Sequence, residues 1–179
     1  MPGPEVDKER ARGPFSFTTI GWVCSPYQRR FGTPQQASAI DSDRDAVLEL
    51  DAERIPVTAL SDLAGVERIW VLSVLHRSGT WGPLVRPPRG ARVRRGLFAT
   101  RSPDRPNPLG LSAVRLLSVE GHRLHVRGVD LLDGTPILDI KPYIPYADAF
   151  PTSRAGWIDE IATEELQFAK RPPPKPDGG

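Results

Sequence analysis

The sequence predicts an all-β protein, a closed barrel or a sandwich, with a few helical turns. Three observations carry this reading. Short runs rich in β-branched and apolar residues recur along the chain, each closed by Gly, Pro, Asn or Asp. The most apolar run, residues 66–76 (VERIWVLSVLH), alternates with the period of a strand: Ile69, Val71, Ser73 and Leu75 fall on one face, and Trp70, Leu72, Val74 and His76 on the other. The glycine fingerprints of Rossmann and P-loop nucleotide sites, G-x-G-x-x-G and G-x-x-x-x-G-K-[ST], are absent from the sequence.

Taken in order, residues 1–14 are charged and rich in Pro and Gly and are expected to form a tail. Residues 15–23 (FSFTTIGWV) read as a strand ended by Ser25-Pro26, and residues 28–36 (QRRFGTPQQ) as a polar, basic loop. Residues 46–50 form a short strand candidate, residues 60–64 a turn or two of helix, and residues 66–76 the central strand. Residues 79–90 are a Pro, Gly and Arg loop. Residues 111–119 and 124–129 pair across the Glu120-Gly121-His122 turn, and Asp133-Gly134 turns the chain into a strand at 135–140. Pro142, Pro145 and Pro151 keep the next part irregular; residues 158–168 match a short helix loosely, and residues 170–179 are a second tail. One domain over residues 15–169 is expected, with no internal repeat.

Composition narrows the function classes. The chain has 179 residues, 39% hydrophobic and 26% charged, which fits one globular domain. No apolar run reaches the length of a membrane span, and residues 1–14 lack the apolar core of a secretory signal, so a cytoplasmic protein with no membrane contact is the expectation. A lone cysteine, Cys24, excludes an internal disulfide framework and a multi-cysteine zinc site, and His76, His122 and His125 are not spaced as ligands, so no metal is expected. Formal net charge is only +2, yet residues 86–105 hold seven arginines against one acid, Asp104. Guanidinium forks suit phosphates and carboxylates.

The chain is organised around residues 96–112 (GLFATRSPDRPNPLGLS). Pro103, Pro106 and Pro108 fix φ and remove amide donors, so residues 102–108 cannot be an ordinary helix or a central strand. A stiff hairpin-like loop between two strands, carrying Arg101 and Arg105, is expected either as a ligand clamp or as a plain connection.

ATRSPDRPNPLGLS, followed by GVDLLDGTPILDIKPYIPYAD and preceded by IGWVCSPYQRRFGTPQQ, resembles the TrmO (TsaA-like) family of S-adenosylmethionine-dependent tRNA methyltransferases, over about residues 17–150. The resemblance implies an antiparallel β-barrel, a homodimer with S-adenosylmethionine near the subunit interface, and methylation of N6 of threonylcarbamoyladenosine beside the anticodon. It also places cofactor contacts. Pro34, Gln35 and Gln36 match the family's P-R-Q, with Gln35 in the arginine's place; His76 and Arg77 match its strand-end pair. Arg101 and Leu111 stand at the two ends of the rigid loop, and Asp133, Gly134, Thr135 and Pro136 match the D-G-T-P turn.

Methyl transfer is an in-line displacement that needs the acceptor nitrogen about 3–3.5 Å from the methyl group. A carbamoylated N6 is a poor nucleophile, so a base that takes its proton helps. Asp139, Lys141 and Tyr143 are the candidate catalytic residues, on one face if the strand runs straight through Pro142; an Asp139–Lys141 ion pair is the structural alternative. Arg86, Arg89, Arg92, Arg94 and Arg95 are the candidate grip on tRNA phosphates, with Phe31 and Trp81 as stacking or filling groups. A different RNA or small-molecule acceptor, and a non-catalytic module that binds the cofactor or RNA, remain open as alternatives.

Overall fold

The computed structural model describes residues 13–29, 45–88 and 93–161. Six strands close into an antiparallel barrel in the order β1-β2-β7-β6-β3-β8. They are β1 (Gly21–Cys24), β2 (Asp45–Leu50), β3 (Arg68–Val74), β6 (Leu109–Glu120), β7 (Arg123–Arg127) and β8 (Thr135–Pro142). Closure leaves the barrel itself without a free edge. A separate ribbon pairs β4 (Leu84–Val85) with β5 (Arg95–Gly96). A short helix, α1 (Pro145–Asp148), follows β8, and residues 157–161 begin another.

The barrel interior is the core. Strand alternation delivers Val23, Leu48, Ile69, Val71, Val114, Leu124, Val126 and Ile137 inward, all fully buried. β3 follows the predicted alternation, with Ile69, Val71 and Ser73 buried. The β6–β7 hairpin turns where expected, and Gly121 takes the positive φ (59°) that the turn requires.

Two expectations change. Residues 15–19 are not strand; β1 starts at Gly21. β2 turns away at Asp51, whose carbonyl takes Ile55 N–H, so residues before Ile20 have no β2 neighbour to pair with. Ile20 itself still bonds on both sides, to Ile137 O and from Asp51 N–H. The close approach at Gly21, where a Cβ would lie 2.8 Å from Leu50 Cα, seats the strand start. Nor is the loop at 100–108 a hairpin. β5 pairs with β4, while β6 pairs with β3 and β7. The expected helical turns at 60–64 appear as two 3-10 turns, Val57–Leu60 and Leu63–Gly65. The expected tail residues 1–12 and 170–179, and residues 162–168 of the expected helix, lie outside the described residues.

β8 carries a bulge that decides which way its later residues face. Ser73 pairs with Ile137, but Leu72 pairs with Asp139, so Leu138 is the extra residue. Thr135 and Ile137 point inward. Plain alternation from them would send Asp139 and Lys141 inward too. The bulge reverses the parity: Ile140 pairs with buried Val71, while Asp139 and Lys141 pair with outward Leu72 and Trp70.

Candidate functional site

One end of the barrel gathers most of the predicted cofactor residues. There β1 ends, β3 ends, β6 begins and β8 begins. Asp133 is held at this end from two directions: Ser25 N–H donates to Oδ1 (3.0 Å) and Gln28 Nε2 to Oδ2 (3.2 Å). Ser25 Oγ donates to Leu131 O (2.8 Å), and Gly134 N–H to Val23 O (2.8 Å), which fastens the D-G-T-P turn to the end of β1. Gly134 needs its positive φ of 71° there. Arg77 joins the group by donating Nη1–H to Gln28 O (2.9 Å). Thus Arg77, Gln28 and Asp133 form one hydrogen-bonded corner, with His76 exposed beside it. The Thr135 side chain is buried inside the barrel, so it belongs to the core rather than to this corner's surface.

An open groove of about 360 Å³ borders the corner, between residues 24–26, residues 45–47, His125 and Asp133. Cys24 lines it, with its thiol within 3.7 Å of Glu49 Oε2. Burial, then the neighbouring Glu49 carboxylate, push that thiol's pKa up, which keeps it protonated and a poor nucleophile at neutral pH.

The proline-rich loop is tied down along its length. Leu75 N–H donates to Pro108 O (2.7 Å), Ser78 Oγ to Pro103 O (2.9 Å) and Gly79 N–H to Asp104 Oδ1 (2.6 Å). Arg105 Nη1 folds back onto Thr100 O (2.9 Å) and Ser102 O (3.3 Å), and Trp157 Nε1 donates to Ala99 O (2.9 Å). Of the loop's two arginines, Arg105 therefore braces the loop, while Arg101 is exposed. The ties to residues 78 and 79 bring the loop against the segment that follows His76 and Arg77.

The candidate catalytic residues lie on the outer face of the barrel wall formed by β8, β3 and β6. Leu111, Leu72 and Asp139 stand in register across the three strands, followed by Ala113, Trp70 and Lys141. Asp139 Oδ1 accepts from Ile140 N–H (2.9 Å), and Oδ2 pairs with Lys141 Nζ at 2.7 Å. The ion pair foreseen as the structural alternative is present, and it fixes the carboxylate in place. Tyr143 continues the pairing through its N–H to Arg68 O, and its ring leans on Trp70 at 5.4 Å. Trp70 Nε1 and Ile144 N–H both donate to Asp148, holding α1 to this wall and holding the Asp148 carboxyl below the usual carboxylate range.

Among the arginines expected to grip RNA, Arg86 and Arg94 are exposed and Arg95 stands over the Trp157 ring, 5.1 Å from its centroid. Arg89, Arg92, Pro34, Gln35, Gln36 and Phe31 lie outside the described residues. Sequence reasoning missed Ser25 and Gln28, the partners of Asp133. Their only local signal is polarity in a turn, since the contact spans more than a hundred residues of chain.

Comparison with known proteins follows the same stretches. The family model for the tRNA-methyltransferase O N-terminal domain matches residues 22–149. An Escherichia coli K12 protein named tRNA (adenine(37)-N6)-methyltransferase is 40% identical over 159 residues, 85% of this chain and 67% of its own length. A Pseudomonas aeruginosa protein named "Putative S-adenosylmethionine-dependent methyltransferase RcsF" is 42% identical over 163 residues, 87% of this chain and 70% of its own. The crystal structure of a Pseudomonas aeruginosa TrmO superposes with a TM-score of 0.69 at 37% identity, covering 92% of this chain and 66% of that one. The chain thus spans about two thirds of the length of these relatives.

Proposed function

The chain belongs to the tRNA-methyltransferase O family, and on that footing we propose that it transfers a methyl group from S-adenosylmethionine to N6 of adenosine 37 in tRNA, with the threonylcarbamoyl-modified nucleoside as acceptor. The observation that carries this reading is the Arg77–Gln28–Asp133 corner, which joins residues from two of the matched motifs at the barrel end where the braced loop arrives.

The residues fit the cofactor. Each Asp133 oxygen has one donor named above and keeps acceptor capacity for ribose hydroxyls. Arg77 gives one of its donors to Gln28 O and keeps the rest, and Arg101 is exposed, so either suits the amino-acid carboxylate. Leu111, Gly134 and Pro136 offer apolar and backbone surface to the adenine. When bound, S-adenosylmethionine supplies an activated methyl group. This chain's part is to orient the acceptor and relieve N6 of its proton. Asp139, which accepts from the Ile140 amide and pairs with Lys141, is our candidate for that work, and Lys141 and Tyr143 line the same outer face.

That face also needs a cover. Leu109 and Leu111 are 52% and 60% exposed, and they share the wall with Leu72, Val74 and Trp70. A second copy of the chain is the occupant we propose, which puts the catalytic residues beside the subunit interface. Exposed Arg86 and Arg94 and half-buried Arg95, with Arg89 and Arg92 from the same run of sequence, supply the phosphate contacts.

The test is transfer of labelled methyl from S-adenosylmethionine to tRNA taken from cells that lack the mark. Label recovered on N6 of adenosine 37 is the expected result. Tight cofactor binding without transfer to any RNA would sink the enzymatic reading, and label only on a different base would move the acceptor. Charge reversal at Arg94 should weaken tRNA binding and flatten its salt dependence while S-adenosylmethionine affinity stays unchanged; equal loss of both would deny it an RNA role.

A further inference from the structure

Resting on the reading of this chain as a tRNA methyltransferase, we propose that the ring of Phe98 is a stacking platform for an unpaired base of the RNA strand that carries the target adenosine. Phe98 is 80% exposed, although it sits on a 3-10 turn (Leu97–Ala99) whose first residue is buried in the fold. The turn is fixed on every side. Leu97 N–H donates to Pro83 O (2.9 Å), Thr100 Oγ1 to Leu97 O (2.8 Å) and Trp157 Nε1 to Ala99 O (2.9 Å). The backbone that carries the exposed ring is thus fixed, and a ligand landing on the ring does not have to order the turn beneath it.

A cation already covers part of the ring. The Arg105 guanidinium carbon lies 5.4 Å from the centroid, and two carbonyls, Thr100 O and Ser102 O, hold the guanidinium there. At 80% exposure the ring still offers an open face to solvent. An aromatic plane backed by a guanidinium, flanked by exposed Arg94 and Arg101, is the combination that single-stranded nucleic acid favours: stacking for the base and positive charge for the backbone. Asp104, the acid of this stretch, accepts Gly79 N–H. The location fits as well. Phe98 lies three residues before Arg101, on the turn that leads into the loop fastened to Ser78 and Gly79, so a base stacked on it lies on the approach to the segment that follows His76 and Arg77.

The experiment compares Phe98→Leu, which keeps an apolar side chain without a π face, with Phe98→Trp, which keeps the plane. Full-length enzyme is assayed with tRNA lacking the mark, and with a synthetic anticodon stem-loop carrying 2-aminopurine next to adenosine 37. We expect Phe98→Leu to raise KM for tRNA about tenfold, with kcat at saturating tRNA and S-adenosylmethionine affinity unchanged. Phe98→Trp should restore KM, and 2-aminopurine fluorescence should be quenched by the wild type and by Phe98→Trp but not by Phe98→Leu. A Phe98→Leu variant with wild-type KM and quenching overturns the platform while leaving the methyltransferase reading intact. So does a Phe98→Leu variant that changes oligomeric state by sedimentation, since the ring then belongs to a subunit contact. Absence of methyl transfer and of stem-loop binding in the wild type would overturn both.

Discussion

The two sides of the barrel wall share one interior and differ on the outside. On the β2-β7 face, two outward pairs of opposite charge stand in register, on either side of Val47 and His125. Glu49 faces Arg123 at 3.7 Å, and Asp45 faces Arg127 through two hydrogen bonds of 2.7 and 3.1 Å. On the β6-β3-β8 side, the equivalent positions are Leu109 with Val74, Leu111 with Leu72, and Ala113 with Trp70, ending on the Asp139–Lys141 pair. The first surface satisfies its charges within one chain and is at ease in water. The second leaves Leu109 and Leu111 exposed near a fixed carboxylate, which is why the proposed interface and chemistry are assigned to it. An inner face therefore reports only that a barrel forms, while the outer faces assign the work.

Four measurements break or sharpen this contrast. Asp139→Asn, on the apolar side, should slow methyl transfer by about 10²-fold or more with cofactor affinity unchanged, while Glu49→Gln on the charged side leaves turnover alone. Full turnover in Asp139→Asn would remove Asp139 from the mechanism. The interior should not distinguish the two sides. Ile69→Ala on β3 and Leu124→Ala on β7, both fully buried, should each cost about 2–5 kcal/mol in denaturant unfolding. A large cost on one side only would mean that the barrel is not one core.

Leu109→Asp should convert a dimer to monomers in sedimentation and reduce activity about tenfold; a wild type that sediments as a monomer at micromolar concentration would show that the apolar side faces water. The smallest effect belongs to the charged pairs. The Arg127 guanidinium holds the Asp45 carboxyl below its ordinary value of 3.8. A depressed folded pKa stabilises the protein above the unfolded value and loses that contribution as pH falls through the folded one. Arg127→Gln should thus lower the melting temperature by at most about 2 °C at neutral pH, and by nothing once pH lies well below 3.8. An equal shift at both pH values would mean that Arg127 acts through packing.

Local signals made the strands, turns and rigid loop legible. The alternation of residues 68–74 needs nothing beyond its own pattern, and Gly121 and Gly134 mark turns that only a positive φ can make. Residues 15–19 show where such signals fail: they have strand composition but lack a neighbour, because β2 turns off at Asp51. The site was legible as a set of motifs. That Asp133 is gripped by Ser25 and Gln28, or that Arg105 braces the loop while Arg101 stays exposed, depends on contacts no local pattern encodes.

By itself the sequence determined the β class, the turn positions, the irregular arginine-bearing loop and the family motifs, because each rests on backbone limits or side-chain spacing within a few residues. Only the tertiary structure decided which strands became neighbours, and hence which outer side is charged and which apolar. It also decided, through the single extra residue at Leu138, that Asp139 and Lys141 face outward. In a strand of period two, one inserted residue exchanges the two faces, and nothing in the strand's own composition records where that insertion falls.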